Sequence, residues 1–144
     1  MPAGVLARRY APLMTALALV FASIAALLHV LFFKLESLDW KKPKTWKTFG
    51  LESQAQADTT ASLAFNQGFY NLFLAIGTGL GVKVIWFSDS HDNIGWTLIL
   101  FGCGSMLAAA IVLISSGGKA FARAAAIQGV PPLIAIVAAI VAIN

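Results

Sequence analysis

Four apolar segments, each long enough to cross a lipid bilayer as a helix, dominate this chain of 144 residues. They cover residues 12–35, 61–87, 94–116 and 121–143. About 20 apolar residues span the hydrocarbon core, where only internally hydrogen-bonded backbone is tolerated. We therefore predict one domain over residues 1–144, with residues 36–60 as a loop at the membrane surface. The predicted fold is an all-α, integral membrane, up-and-down four-helix bundle.

The composition excludes an ordinary soluble domain. Hydrophobic residues make up 59% of the chain and charged residues 11%, whereas soluble domains carry about 25% charged residues. The net charge of +4 lies next to the apolar segments, which argues against a nucleic-acid partner. The first segment begins like a signal peptide, but its apolar run continues to Phe33, so we expect a retained helix. Seven of the ten basic residues lie in the first and third loops, which predicts that both termini are outside the cytoplasm.

The first loop, LDWKKPKTWKTFGL, alternates aromatic residues with lysines. Pro43 can begin a short helix and Gly50 can end it. Trp46 and Phe49 then share the apolar side of this helix, and lysines occupy the other. This pattern predicts a segment that lies among lipid headgroups, with membrane lipids as partners.

The second segment contains AFNQGFYNLFLAIG, in which four polar side chains fall within six positions. At about 100° per residue they share one arc with Thr78 and Gly81, while bulky residues such as Phe65 and Ile76 lie on the other side. We expect the small and polar arc to face protein and the bulky side to face lipid. The polar residues are Asn66, Gln67, Tyr70 and Asn71.

Two other segments carry polar residues at a similar depth. His29 and Glu36 lie seven residues apart on one face of the first helix, above a seam of alanines. In the fourth segment, Gln128 shares a face with Pro132 and further alanines. We predict that these groups meet in one pocket between the first, second and fourth helices. The predicted ligand-binding residues are His29, Glu36, Asn66, Gln67, Tyr70, Asn71 and Gln128.

An ordered set of motifs resembles the domain of unknown function 1304 family. It runs from HVLFFKLESLDW through KTWKTFGL and LAFNQGFYNLFLAIG to QGVPPLIAIV. The resemblance implies a small four-helix protein in a bacterial cytoplasmic membrane, with several membrane passes. It implies no settled activity.

The remaining features favour simple packing and connection. Cys103 lies in the middle of the third segment with no base nearby in sequence, and SDSHDN, residues 88–93, is explained best as a polar turn that caps the third helix. No metal-ligand spacing, phosphate-binding loop or nucleophile motif is present in the sequence, so we predict no metal and no cofactor.

The function predicted from these features is binding of a small polar or lipid-derived ligand, with transport as an extension that would require a homo-oligomer or a larger membrane complex. One alternative is an accessory subunit whose polar cluster only holds the helices together. A second, less favoured, is a membrane-embedded enzyme that acts on lipid headgroups.

Overall fold

The computed structural model describes the backbone of residues 3–88 and 93–144 and the side chains from Tyr10 onward within these ranges. Within them the chain is helical, with no strand. The helices are α1 (Ala3–Phe33), α2 (Pro43–Thr48), α3 (Gln54–Phe87), α4 (Asn93–Gly117) and α5 (Ala122–Ile143). A π-helical turn, Lys34–Leu38, extends α1, and a 3-10 turn, Gly118–Phe121, joins α4 to α5. The predicted all-α class is confirmed.

The four long helices form a closed bundle in which each packs against two others. Helix α1 packs against α3 and α5, and α4 packs against the same two helices. Consequently α1 lies diagonally across from α4, and α3 lies diagonally across from α5. A site shared by the first, second and fourth long helices would therefore have to join the diagonal pair α3 and α5.

Small residues allow the helices to approach closely. Ala18, Ala22 and Ala25 of α1 are fully buried, as predicted from their common face. Between α3 and α4, a Cβ at Gly81 would lie 2.8 Å from the carbonyl oxygen of Gly95. Gly77, four residues earlier, has open space around its Cβ position, so it is not a point of close approach between helices.

The apolar core occupies the end of the bundle remote from Glu36. It consists mainly of alanines with a few larger side chains, including Ile85, Trp96 and Ile99. Cys103 belongs to this cluster as a fully buried free thiol, which agrees with its predicted packing role. The polar residues predicted to form a site lie toward the other end.

Two helices begin earlier than predicted. Helix α3 starts at Gln54 rather than near residue 61, because Ser53 Oγ accepts a hydrogen bond from the backbone N–H of Gln56 and caps the helix. Helix α1 begins at Ala3, before its apolar run. In the predicted turn at SDSHDN, residues 89–92 lie outside the described residues.

Helix α5 runs without a break through Pro131 and Pro132. Proline has no N–H, so the carbonyls of Ile127 and Gln128 lose their usual partners within the helix. The long helix predicted over residues 121–143 is confirmed.

Three continuous helical stretches among the described residues have the length and hydropathy needed to cross a membrane. They are Tyr10–Leu38, Gln54–Phe87 and Asn93–Ile143. The third contains both α4 and α5, joined by the 3-10 turn.

Candidate functional site

Glu36 lies in the π-helical turn at the end of α1 and is 8% exposed. A π turn carries an extra residue per turn and changes the direction in which its side chains project, and such turns occur often at functional sites. Here the turn directs a carboxyl group toward α3. The predicted inward position of Glu36 is confirmed.

The carboxyl group of Glu36 is held by α3. Asn71 Nδ2 donates a hydrogen bond of 2.7 Å to Glu36 Oε2. Among the described residues, no lysine, arginine or histidine forms an ion pair with this carboxylate. A neutral amide thus supplies its hydrogen bond, and no basic side chain in the described part of the chain pairs with it.

Gly68 allows the π turn to lie directly on α3. A Cβ at Gly68 would collide with Ser37 Oγ and would lie 3.2 Å from Glu36 Cβ. Ser37 Oγ also donates a hydrogen bond of 2.8 Å to the carbonyl oxygen of Phe65. Because Gly68 has no side chain, the π turn and its carboxyl group can approach α3 this closely.

An open cavity of ≈270 Å³ lies beside Glu36, between the π turn, the loop that contains α2 and the first half of α3. Its lining combines one carboxyl and one amide with aromatic, aliphatic and hydroxyl side chains. The lining residues are Glu36, Trp40, Phe49, Leu51, Thr60, Leu63, Ala64 and Gln67.

The aromatic wall of this cavity is fixed by a hydrogen bond to α3. Trp40 Nε1 donates to the carbonyl oxygen of Ala57 at 3.0 Å. The ring of Phe49 packs against Trp40 with centroids 5.1 Å apart. The loop on which these rings lie therefore forms a positioned wall of the cavity.

The short helix predicted in this loop is confirmed as α2. It begins at Pro43, and Gly50 follows it with a φ of 80°, a backbone conformation that glycine adopts readily. Trp46 is buried on its inner side and donates from Nε1 to Gln54 Oε1 at 3.2 Å. These contacts fasten the loop to the start of α3.

The family described as "Protein of unknown function (DUF1304)" matches residues 23–140. The chain belongs to the DUF1304 family. The matched range includes Glu36, the loop and the whole of α3, so every residue that lines the cavity falls within it. No curated protein and no solved structure matches this DUF1304 chain.

Three of the seven residues predicted for the site belong to this arrangement. Glu36 and Gln67 line the cavity, and Asn71 holds the carboxyl group of Glu36. Ala64, which also lines it, is buried one turn before Gly68 on the same side of α3.

His29 is buried as predicted but does not line the cavity of this DUF1304 protein. It is 1% exposed, and its Nδ1 lies 2.9 Å from the carbonyl oxygen of Ala25 in the same helix. This geometry requires an N–H at Nδ1, which leaves Nε2 as an acceptor. Nε2 is buried and has no hydrogen-bond partner among the described residues. The hydrogen bond of His29 thus lies within α1, and its side chain is separate from the cavity.

The predicted inward orientation of Asn66 and Tyr70 is also wrong, because both side chains are exposed; Gln67 is exposed as well, although it lines the open cavity. The buried residues nearest to them on α3 are Ala64 and Gly68. Asn66 is two residues from Gly68, which at about 100° per residue places it roughly 160° away around the helix. Helices approach through small residues, so the alanine and glycine seam, rather than the richest polar arc, defines the buried side.

Gln128 is half-buried on α5 and does not line the cavity. Helix α5 lies diagonally across from α3, and none of its residues lines the cavity. The predicted pocket among three long helices is replaced by a cavity between two helices and a loop.

Trp40 and Phe49 were not among the predicted site residues, since their loop was interpreted only as a membrane anchor. The sequence signal that could have identified them is the series of aromatic residues in DWKKPKTWKTF, which closely follows Glu36. Among the described residues, no group of three His, Cys, Asp or Glu side chains could hold a metal ion.

Proposed function

We propose that this DUF1304 protein is a multi-pass integral membrane protein that binds a small polar or lipid-derived ligand in the cavity beside Glu36. The observation that carries the proposal is a buried carboxyl group that lines an open cavity and has no basic partner among the residues that the structure describes. Burying a charge without a partner is costly, and ionisable residues at such depth commonly mark functional sites.

The outer surface supports the membrane environment. Large apolar side chains are exposed on every long helix, including Leu27, Phe73, Phe101 and Val137 at 54–70% exposure. Soluble monomers seldom expose extended apolar surfaces of this kind. Trp86 and Phe87, 70% and 78% exposed, lie at the end of α3 opposite the loop. Aromatic residues at this position are typical of a membrane–water interface.

The volume of the cavity supports a small ligand. At ≈270 Å³ it is slightly below the range of about 300–1,000 Å³ that is usual for pockets of drug-sized molecules. Gln67 adds an amide that can both donate and accept, next to the acceptor oxygens of Glu36. We infer that the ligand, or the part of a lipid that enters, has the size of a lipid headgroup.

The rival function is that of an accessory subunit, favoured by the Glu36–Asn71 hydrogen bond, which joins two helices. Interhelical hydrogen bonds in membranes contribute about 0.6–2 kcal/mol each. This bond alone would explain a polar pair inside a bundle, but it does not explain an aromatic wall around an open cavity.

Native mass spectrometry of protein released from mild detergent tests the proposal. Wild type is compared with Gln67→Ala, which changes the cavity, and with Asn66→Ala, which changes the neighbouring exposed amide. We expect an adduct that wild type and Asn66→Ala retain and Gln67→Ala loses. Bare protein in all three, or an adduct that is equal in all three, would contradict binding in this cavity.

A further inference from the structure

The negative charge of Glu36 must be balanced from outside the bundle if the carboxyl group is ionised. Three lysines of the π turn and the loop pair with aspartates and not with Glu36. Asp39 accepts from Lys34 and from Lys42, the latter at 2.7 Å, and Lys41 Nζ lies 3.7 Å from Asp58 Oδ1. Two aspartates outside the cavity, Asp39 and Asp58, thus engage three of the nearby lysines.

Asn71 leaves part of the carboxyl group available. Its amide bonds Oε2, and no hydrogen bond from a described residue reaches Oε1. Within the described residues, two side-chain polar atoms are fully buried without a hydrogen-bond partner, His29 Nε2 and Thr78 Oγ1. Oε1 of Glu36 is not one of them, so it is not fully enclosed by protein. Since Glu36 lines the cavity, one carboxylate oxygen is open to an occupant.

The walls of the cavity are suited to a cation that carries carbon. Trp40 and Phe49 contribute two rings that meet at 57°, and Leu51 and Leu63 complete the apolar surface. Aromatic faces attract cations within about 6 Å of the ring centroid and serve as the usual receptors for alkylated ammonium groups. A carboxylate combined with two rings is therefore a chemical complement to an ammonium group with carbon substituents.

We propose that the cavity beside Glu36 binds an organic ammonium ion, with its positive charge at the carboxylate and its carbon substituents against Trp40 and Phe49. The group belongs either to a free amine or to the amine-bearing headgroup of a lipid. This inference rests on the proposed function, because it specifies the ligand of the same cavity. It goes further by excluding anions, which the carboxylate repels, and by disfavouring divalent metal ions, for which this lining offers a single charged ligand beside one amide and one hydroxyl.

Binding of choline to the purified full-length protein in detergent tests the charge requirement. Its neutral counterpart of the same shape, 3,3-dimethyl-1-butanol, is titrated in parallel by isothermal calorimetry. Glu36→Gln keeps the size of the side chain and an acceptor for Asn71 but removes the charge. Glu52→Gln makes the same chemical change at an exposed residue that does not line the cavity.

We expect wild type and Glu52→Gln to bind choline with equal affinity and to bind the neutral alcohol about tenfold more weakly or less. Glu36→Gln should weaken choline binding about tenfold or more and leave the alcohol unaffected. Phe49→Leu, which removes one ring but keeps an apolar side chain, should weaken choline more than the alcohol.

A second arm distinguishes the two sources of the ammonium group. The protein is placed in nanodiscs of phosphatidylglycerol alone or mixed with phosphatidylethanolamine, and lipids retained after release are weighed by native mass spectrometry. Selective retention of phosphatidylethanolamine by wild type, lost in Glu36→Gln, identifies a lipid headgroup. Choline binding without selective lipid retention identifies a free amine.

The outcomes separate this inference from the proposed function. If Gln67→Ala loses an adduct that is neutral or anionic and choline does not bind, the cavity is a ligand site and the ammonium inference is overturned. Equal binding of choline and the alcohol overturns it as well. If no ligand binds and no adduct is found, both proposals fail.

Discussion

Asn71 in α3 and Glu36 in the π turn form a 2.7 Å hydrogen bond between side chains that are 35 residues apart in the sequence. This bond joins the end of one long helix to the middle of the next at the point where the cavity begins. Because Asn71 is a neutral amide, its hydrogen bond to one oxygen of Glu36 does not neutralise the charge of the carboxylate. It therefore positions the carboxyl group, and in the function proposed above the charge of that group is available to a ligand.

Replacement of Asn71 should expose the energetic cost of this arrangement. Asn71→Leu leaves a buried carboxyl group without its hydrogen bond, which should lower the free energy of unfolding by about 1–3 kcal/mol. In the background of Glu36→Gln the same substitution should cost less, since an uncharged amide is cheaper to bury. Reversible unfolding in mixed micelles measures this cycle, and additive effects of the two substitutions would contradict the coupling.

Gly68 provides a direct test of the close approach between the π turn and α3. Gly68→Ala places a methyl group against Ser37 and should lower stability by about 1–3 kcal/mol. It should also loosen the loop, because Ser37 and Glu36 must move away from α3. Thermal unfolding and limited trypsin digestion at the loop lysines measure the two effects.

Gly77→Ala is the matched control in the same helix. No atom lies within 4 Å of a Cβ at Gly77, so alanine should raise stability by about 0.5–1 kcal/mol through its greater helix propensity. Equal loss of stability in both variants would mean that Gly68 has no special role.

Thr78 is fully buried, and its hydroxyl has no hydrogen-bond partner among the described residues. Thr78→Val keeps the shape of the side chain and removes the unsatisfied group, which should raise stability by about 1 kcal/mol or more. Thr97→Val on the exposed side of α4 is the control, since Thr97 Oγ1 donates to the carbonyl oxygen of Asn93 at 2.7 Å. A lower melting temperature for Thr78→Val would show that its hydroxyl is bonded in the folded protein.

The ion pairs of Asp39 with Lys34 and Lys42 predict that stability depends on pH. Hydrogen bonds from Lys34 and Lys42 lower the pKa of Asp39 below its ordinary value. A pKa that is lower in the folded state means that the ionised carboxylate of Asp39 stabilises the folded protein. This stabilisation is fully present above the unfolded pKa of about 3.9 and is lost as the pH falls through the folded pKa. Wild type should therefore lose more thermal stability between pH 6 and pH 3 than Asp39→Asn does. The same loss in both proteins would contradict a stabilising role for these hydrogen bonds.

The helices and their small-residue contacts could be predicted from the sequence because both depend on local periodicity. The alanines of α1 are buried, as their spacing predicted, and α5 continues through its prolines, as the length of the apolar segment predicted. The early start of α3 was also encoded locally, in the Ser53 to Gln56 cap, but it precedes the apolar run on which the segment boundaries were based.

The rotation of α3 and the true walls of the cavity could not be predicted in this way. Asn66 and Asn71 are chemically alike, and only the position of Gly68 decides which of them faces α1. The π turn changes the direction of Glu36 without any signature in composition. Trp40 lines the cavity because its indole N–H reaches the carbonyl oxygen of Ala57. This contact joins two separate segments, so the periodicity of either one does not predict it.

The apparent melting temperature of ligand-free Glu36→Gln, measured beside wild type in the same detergent, tests the central claim most directly. If Glu36 is kept for a ligand, its charge has a stability cost in the empty protein, since function and stability often oppose each other at binding sites. We predict that Glu36→Gln melts at the same temperature as wild type or higher and no longer binds ligand. A melting temperature several degrees lower would show that Glu36 serves to hold the helices together, and would leave the accessory-subunit function as the better account.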